Sequence, residues 1–240
     1  MHVTKKTVLA NLIIITLIGG LMASVALGAA TGTKPEESLK KVYPQLAYES
    51  IEPTDIPGLY EVTVGQNVIY YYPEKDYLFI GDIYVPPGKS LTAEKRSALT
   101  AKLLKTLPLE KAVKVGNGKK VVIEFTDPDC PYCKKVSEFF KDRTDVTRYV
   151  YFAPFAHPQA AAKIHYILAA ADKEKAYKEM MLSANPPQPK GDYSEAIKSL
   201  AKEHMALAQK LKVQGTPTMF VGEKQVVGAD IPQLEQLLKN

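Results

Sequence analysis

The only two cysteines of this 240-residue chain, Cys130 and Cys133, lie three positions apart in a Cys-Pro-Tyr-Cys sequence. An apolar stretch typical of a buried strand precedes them, and a helical pattern follows. Free N–H groups and the helix dipole at a helix start stabilise an anion, so this position favours the thiolate form of Cys130. Pro131 suits the first helical turn, where its missing N–H costs nothing. Cys133 lies one turn deeper, close enough to form a short disulfide with Cys130.

This cysteine pair predicts thiol–disulfide exchange. Cys130 would attack a substrate disulfide and form a mixed disulfide with one of its sulfurs. Cys133 can then resolve that bond, or the substrate's own thiol can attack it and leave a rearranged protein. The reduction potential decides between these outcomes, and the intervening Pro131 and Tyr132 tune that potential.

Two other interpretations of the pair stay open at this point. A structural zinc site needs about four ligands, and the cysteines would have to recruit them from His157, His165 and His204, none of which has a matching spacing. An inert structural bridge is the second alternative, but a loop this short restrains the unfolded chain little. The sequence therefore favours a redox pair, with no metal and no cofactor.

Composition excludes several other classes of protein. Two cysteines can close one bridge at most, which excludes a fold built on disulfides. Hydrophobic residues make up 46% and charged residues 24% of the chain, as in an ordinary globular protein. The net charge of +5 comes without a run of like charges, so composition gives no case for nucleic-acid binding.

Residues 1–30 predict an export signal. Lys5 and Lys6 precede a stretch free of charge from 7 to 33, and small residues at 26–30 offer a cleavage site. The apolar run is also long enough to span a bilayer, so an anchor retained in the inner membrane is the alternative; a buried core helix is a third interpretation. Signal and anchor both place the rest of the chain outside the cytoplasm, because the positive charges stay inside.

The first folded segment reads as a small α+β unit rich in tyrosine. Its pattern predicts a helix at 36–43, a Pro-rich turn at 53–58, and strands at 59–64, 67–72 and 77–84. So short a unit buries little surface by itself, and packing against a copy of itself would help. The tyrosines would form that contact surface or simply pack the sheet.

A charged helix with an apolar stripe at 91–108 separates this unit from a second domain. It reads as a linker helix, with packing on the second domain as the alternative. The second domain has a β–helix–β pattern around the cysteines, which favours two parallel strands. Its predicted elements are strands at 121–125 and 147–152, helices at 133–141, 159–182 and 194–212, a hairpin at 217–228, and a final helix from 231.

Three stretches carry a resemblance to a known family: Phe125-Thr126-Asp127, Cys130-Pro131-Tyr132-Cys133 and Gly215-Thr216-Pro217. Together they resemble a thioredoxin-fold active site and, more narrowly, the periplasmic disulfide isomerase family of DsbC and DsbG. The resemblance implies an α+β chain with a small cystatin-like N-terminal dimerisation domain and a C-terminal thioredoxin fold. The N-terminal domain would occupy residues 31–90, and a linker helix would follow at 91–108. The catalytic domain would occupy residues 109–240, with a helical insertion at about 158–212. The structural cysteine pair that some relatives carry in the insertion is missing from residues 167–171.

The resemblance also implies roles for individual residues. Cys130 and Cys133 would be catalytic, and Glu124 would be a buried acid that takes the proton of Cys133 during resolution. Thr216 and Pro217 look like the Thr–cis-Pro pair that faces the active site, where an extended substrate segment could pair with open backbone. Substrate contact would extend to the two residues between the cysteines, Pro131 and Tyr132. A strand-end acid and an ordinary strand-start proline are the alternatives for Glu124 and Pro217.

The function expected from these observations is an exported thiol:disulfide isomerase or reductase that corrects misoxidised proteins. The resemblance implies a periplasmic homodimer that is recharged by a membrane reductant of the DsbD kind, without nucleic acid. A DsbG-like reductase of sulfenylated cysteines and a net dithiol oxidase are the enzymatic alternatives. A chaperone-type binding module, based on the tyrosine-rich domain and a shared apolar cleft, is the alternative from another class.

Overall fold

The computed structural model describes residues 34–239. Within that part of the chain, no helix is both long and apolar enough to cross a membrane. The predicted signal or anchor at 1–30 lies outside the described residues and stays a prediction.

The first sheet is antiparallel throughout. The elements of this part are α1 (Pro35–Val42), β1 (Ser50–Pro53), β2 (Tyr60–Val64), β3 (Asn67–Tyr72) and β4 (Tyr77–Phe79). The strands lie side by side in chain order. Leu39 of α1 packs with Val62 and Tyr71 of the sheet to form its core. The helix predicted at 36–43 and the strands predicted at 59–64 and 67–72 are confirmed.

Two features of this sheet differ from expectation. β1 forms directly before the Pro-rich turn, and Pro53 is tolerated there because β1 lies at an edge of the sheet. The strand expected at 77–84 ends at Phe79, because Gly81 and Asp82 are poor strand residues. The chain then forms a separate two-stranded ribbon from β5 (Tyr84–Val85) and β6 (Lys89–Ser90).

The helix α2 (Leu91–Leu104) contacts both parts of the chain. The Ser90 hydroxyl caps its start by accepting a hydrogen bond of 3.0 Å from a backbone N–H. Near this end, Thr92 Oγ1 lies 2.5 Å from the Tyr70 hydroxyl of β3. Near the far end, Leu103 packs against the core of the second sheet. The start of α2 therefore contacts the first sheet, and its far end packs on the second domain, as the packed-helix alternative expected.

The second part is built on a five-stranded sheet. Its elements are β7 (Val113–Val115), β8 (Lys120–Thr126), α3 (Pro131–Phe140), β9 (Val146–Phe152), α4 (Ala161–Ala169), α5 (Lys173–Leu182), α6 (Glu195–Lys210), β10 (Thr218–Val221), β11 (Lys224–Val227) and α7 (Ile231–Lys239). The strand order is β11–β10–β8–β9–β7. β8 and β9 are parallel and joined by α3, which confirms the predicted β–helix–β unit, while the other pairs are antiparallel.

The central strand β8 separates two apolar cores, because its side chains point alternately to opposite faces. Val122 packs with Val136 of α3 on one face. Phe125 packs with Ala208 near the end of α6 on the other. The sheet therefore holds the residues before the cysteines in fixed positions under α3.

The long helix predicted at 159–182 is wrong as a single element. It divides into α4 and α5, with a short 3-10 turn before α4. The break occurs because Asp172 caps the start of α5, its carboxylate accepting a hydrogen bond of 2.9 Å from the Lys175 N–H.

Candidate active site

The cysteines lie where β8 passes into α3. Cys130 is the residue that precedes the first helical turn, with an extended backbone (φ −80°, ψ 121°), and Pro131 opens the helix. Both cysteines carry free thiols. Cys130 is 6% exposed and Cys133 is 0% exposed. Of the two sulfurs, Cys130 is therefore the one nearer the surface, as its predicted role as attacking nucleophile requires.

The residues before β10 complete the front of the site. The Cys130 thiol donates a hydrogen bond of 3.5 Å to the Thr216 carbonyl, across 86 positions of sequence. The Thr216–Pro217 peptide is cis, as the resemblance implied. Tyr132 is 63% exposed beside this contact. The structure thus brings together Cys130, Thr216 and Pro217, and leaves the Tyr132 ring open to solvent.

Cys133 lies behind this surface in a fully buried position. Burial raises the pKa of its thiol, and the neighbouring Cys130 adds to that rise. The Thr126 hydroxyl and the Asp127 backbone N–H lie beside the sulfur and act in the opposite direction. In the resting dithiol state Cys133 is therefore a protonated and poor nucleophile.

The predicted acid Glu124 is fully buried, but it is part of an ion pair that the sequence did not predict. Arg148 Nη1 of β9 donates to Glu124 Oε2 at 2.9 Å, and the Arg148 side chain is only 4% exposed. The Tyr177 hydroxyl of α5 donates to Glu124 Oε1 at 3.3 Å and shares a 2.8 Å contact with Ser137 of α3. A lone arginine in an otherwise apolar strand pattern was the signal for this partner.

Two further carboxylates tie the loop before Cys130 to the segment that leads into α4 and to α4 itself. Asp127 is fully buried, and its Oδ2 lies 2.7 Å from His157 Nδ1. Its other oxygen accepts a hydrogen bond of 2.9 Å from the Asp129 N–H. Asp129 in turn pairs with Lys163 of α4. The sequence assigned no role to His157. In the structure it contacts Asp127, which precedes Cys130 by three positions.

The other buried histidine is a structural element of the second domain. His204 of α6 is fully buried, accepting a hydrogen bond of 3.2 Å from Phe152 N on Nδ1. Its Nε2 donates to the Lys111 carbonyl at 2.9 Å. Burial lowers the pKa of His204 to about 4. Within residues 34–239, no group of three or more His, Cys, Asp or Glu side chains is arranged to hold a metal ion.

Comparison with known proteins identifies this arrangement. A family model described as a thioredoxin-like domain matches residues 107–240, and one described as the disulfide bond isomerase protein N-terminal domain matches residues 26–93. The chain belongs to the DsbC family of thioredoxin-like thiol:disulfide interchange proteins. Both halves of the expected architecture, the N-terminal domain and the thioredoxin fold, are therefore present in this family member.

Individual relatives agree with this assignment. The probable thiol:disulfide interchange protein DsbC of Bordetella avium is 32% identical over 76% of this chain, and the match spans 66% of that relative's length. The thiol:disulfide interchange protein DsbC of Dickeya dadantii is 27% identical over 97% of this chain and 93% of its own length. A linker-deletion variant of ScsC from Proteus mirabilis has a TM-score of 0.51 at 23% identity, covering 61% of this chain and 84% of that one, and shares the fold.

Proposed function

We propose that this family member is an exported thiol:disulfide isomerase and reductase that acts on misoxidised proteins in the periplasm. The contact that carries the proposal is Cys130, at the start of α3, with its sulfur 3.5 Å from the Thr216 carbonyl. The family membership and the names of the relatives support the same reaction. Attack by the Cys130 thiolate would form a bond to one substrate sulfur and release the other as a thiolate.

The difference between the two cysteines favours isomerisation over simple reduction. Because burial raises the pKa of Cys133, resolution by Cys133 has to wait for its deprotonation. During that time the released substrate thiol can attack another disulfide of the same protein. Cys133 then serves to release Cys130 from mixed disulfides that find no better partner.

The test is refolding of a scrambled protein with several disulfides. We expect the wild-type chain and the Cys133→Ala variant to speed recovery of native pairing, and Cys130→Ala to give none. Recovery with Cys130→Ala equal to that of the wild type would contradict the proposal. Efficient reduction of a sulfenylated protein with little shuffling would instead favour the reductase alternative, and a pair found mostly as disulfide in cells would favour the oxidase.

We propose that substrate lies along the surface formed by Tyr132, Thr216 and Pro217, next to Pro131. An extended substrate strand would pair with the half-buried backbone at Thr216, and the open Tyr132 ring would contact its side chains. Tyr132→Ala should lower the apparent affinity for a disulfide-containing peptide while leaving the rate with a small disulfide unchanged. Equal losses with both substrates would place the tyrosine elsewhere in the reaction.

The role predicted for Glu124 as proton acceptor is also a proposal. Arg148 Nη1 lies 2.9 Å from Glu124 Oε2, so proton transfer to that oxygen would require the pair to loosen. Glu124→Gln should then slow resolution by Cys133 but not attack by Cys130. Equal resolution rates for Glu124→Gln and the wild type would limit Glu124 to a structural role.

A second copy of the chain is proposed to bind at the edge of the first sheet. β4 is the terminal strand of that sheet among the described residues, and Tyr77, Phe79 and Ile80 at its end are 54%, 50% and 85% exposed. Burying these side chains would remove apolar surface from water. Phe79→Lys should convert a dimer to a monomer in sedimentation experiments. Val227→Lys, at the exposed edge of the other sheet, is the matched control.

Chaperone-type binding is a second candidate function, favoured by a groove of about 610 Å³ in the first part of the chain. Ile56, Tyr72 and Phe79 are among the residues that line it, and most of the lining is apolar. Such a groove suits unfolded apolar segments. Suppression of aggregation by a variant lacking both cysteines would support this function, and its loss in that variant would assign the effect to the redox site.

The proposed partner in the membrane is a reductant of the DsbD kind, which would return the Cys130–Cys133 pair to the dithiol state. Trapping of thiols in intact cells should find the pair mostly reduced. Removal of the reductant should convert it to the disulfide. A pair that stays reduced without the reductant would rule out this partner.

A further inference from the structure

The hydroxyl of Thr126 has no hydrogen-bond partner in the part of the chain that the structure describes. Thr126 is the last residue of β8 and is fully buried. Among the buried side-chain nitrogen and oxygen atoms of residues 34–239, its Oγ1 is the one left without a partner. Buried hydroxyls are nearly always satisfied, because leaving one unpaired is unfavourable. An unpaired buried hydroxyl next to the reacting cysteines is therefore expected to have a function.

Thr126 lies on the face of β8 that packs against the cysteine-bearing helix α3. Side chains alternate along β8, so Thr126 shares a face with Val122 and Glu124, and that face packs against α3. Cys133 is a buried residue of α3, and the Thr126 hydroxyl lies beside its sulfur. The backbone N–H of Asp127 lies near the same sulfur.

We propose that the Thr126 hydroxyl donates a hydrogen bond to the Cys133 thiolate during resolution, with the Asp127 N–H as a second donor. A neutral thiol is a weak acceptor, so the hydroxyl gains little from it in the resting dithiol. Once the proton leaves, the sulfur carries a full charge and becomes a strong acceptor of charge-assisted hydrogen bonds. The stabilisation therefore arises mainly in the reactive form of Cys133, and the inference rests on the proposed function.

The second donor is held in place by the loop around it. The Asp127 carboxylate is fixed by His157 Nδ1 at 2.7 Å and by the Asp129 N–H at 2.9 Å. The Cys130 N–H also donates to the Asp127 carbonyl at 3.1 Å. Asp127 therefore cannot rotate its backbone N–H away from Cys133 without breaking several contacts.

The step itself balances without an added reagent. Cys133, which is fully buried, first loses its proton to a base, for which Glu124 is the proposed acceptor, and its thiolate then attacks the Cys130 sulfur of the mixed disulfide. The Cys130–Cys133 bond forms while the bond from Cys130 to substrate breaks. The substrate sulfur leaves as a thiolate and takes up a proton. Over the whole cycle two electrons pass from the cysteine pair to the substrate disulfide.

One experiment separates this inference from the proposed function. The reduced full-length protein is mixed with the aromatic disulfide 5,5′-dithiobis(2-nitrobenzoate), and released thionitrobenzoate is followed at 412 nm. The first phase reports attack by Cys130, and the second reports resolution by Cys133. Each is measured across pH for the wild type, Thr126→Val and Thr126→Ser, of which the last keeps the hydroxyl.

Thr126→Val should slow the second phase about tenfold near neutral pH and move its pH midpoint up by about one unit. Thr126→Ser should stay near the wild-type rate. If Thr126→Val packs poorly, Thr126→Ala is the second variant without a hydroxyl and must show the same shifted midpoint. A thiolate titration at 240 nm in the Cys130→Ala background should show the same displacement of the pKa of Cys133.

An unchanged second phase in Thr126→Val would overturn the inference. So would equal slowing in Thr126→Val and Thr126→Ser, because it would assign the effect to packing around the side chain. Failure of the first phase in the wild-type protein has a different meaning. It would contradict the proposed attack by Cys130, and with it the function on which this inference rests.

Discussion

Replacing Glu124 by glutamine is expected to destabilise the protein by about 3 kcal/mol. The substitution keeps the shape of the side chain but leaves the Arg148 charge buried without its carboxylate. Arg148 is only 4% exposed, and its Nη1 lies 2.9 Å from Glu124 Oε2. Water therefore cannot reach the guanidinium to replace the lost charge.

The magnitude follows from what still surrounds Arg148 after the change. Removing one partner of a buried ion pair costs about 3 to 5 kcal/mol. The guanidinium carbon lies 4.9 Å from the centre of the Phe140 ring and 5.3 Å from that of Tyr177. These aromatic faces stabilise a cation, and a glutamine oxygen can still accept one hydrogen bond. The expected loss therefore lies near the lower end of that range.

Urea unfolding followed by circular dichroism measures the loss. At a slope of about 2 kcal/mol per molar urea, a destabilisation of about 3 kcal/mol moves the midpoint down by about 1.5 M. Hydrogen exchange in β8 and β9 assigns the loss to the second sheet. Glu138→Gln is the matched control, because its 3.0 Å pair with Lys141 is exposed and should contribute nothing measurable.

The double substitution Glu124→Leu with Arg148→Met completes the argument. It removes both charges while keeping apolar volume, so it should be far less destabilised than Glu124→Gln. A loss below about 1 kcal/mol for Glu124→Gln would refute the reasoning that the pair is desolvated. A double variant at least as unstable as the single one would show that packing, rather than the unpaired charge, is responsible.

Three further predictions follow from single contacts. Burial lowers the pKa of His204 to about 4, so between about pH 6.5 and pH 4 the unfolded chain binds the extra proton. The free energy of unfolding should fall by about 3 kcal/mol as the pH is lowered through that window. When the free energy of unfolding is measured against pH, the His204→Gln variant should not show this fall. A Cβ on Gly118 would lie 1.9 Å from a backbone carbon, so Gly118→Ala should lose more than about 3 kcal/mol in thermal unfolding, whereas Gly81→Ala, with open space around it, should unfold like the wild type. His157→Ala removes the 2.7 Å partner of buried Asp127 and should destabilise the chain by about 2 kcal/mol; equal stability of His157→Ala and the wild type would show that the pair does not hold the loop.

The local features of the site could be predicted from the sequence because they depend on near neighbours. A strand, a turn and a helix start occupy consecutive positions, so the spacing of Cys130 and Cys133 predicts a close pair of thiols at a helix start. The apolar run at residues 121–125 likewise predicts the buried strand β8, whereas the burial of Glu124 was an implication of the resemblance. Two predicted elements were too long: the strand at 77–84 ends at Phe79, and the helix at 159–182 is divided at the Asp172 cap.

The partners of these residues could not be predicted because they depend on strand pairing and helix packing over long distances. Arg148 reaches Glu124 only because β9 pairs with β8 in one particular register. His157 reaches Asp127 across 30 positions, in a loop for which sequence pattern predicts no contact. The resemblance pointed to Thr216 and Pro217, but the sequence itself contains no signal that places them near Cys130.

The sequence by itself determined which atoms can react. The thiols of Cys130 and Cys133, one helical turn apart at a helix start, are a local property of the chain. Only the tertiary structure decided how the two thiols differ. Packing of α3 against the second sheet buries Cys133 and raises its pKa, while Cys130 stays near the surface against Thr216. The same packing leaves the Thr126 hydroxyl beside Cys133 without a partner among residues 34–239. Desolvation and long-range contact arise only when distant segments meet, which is why no spacing of residues could predict them.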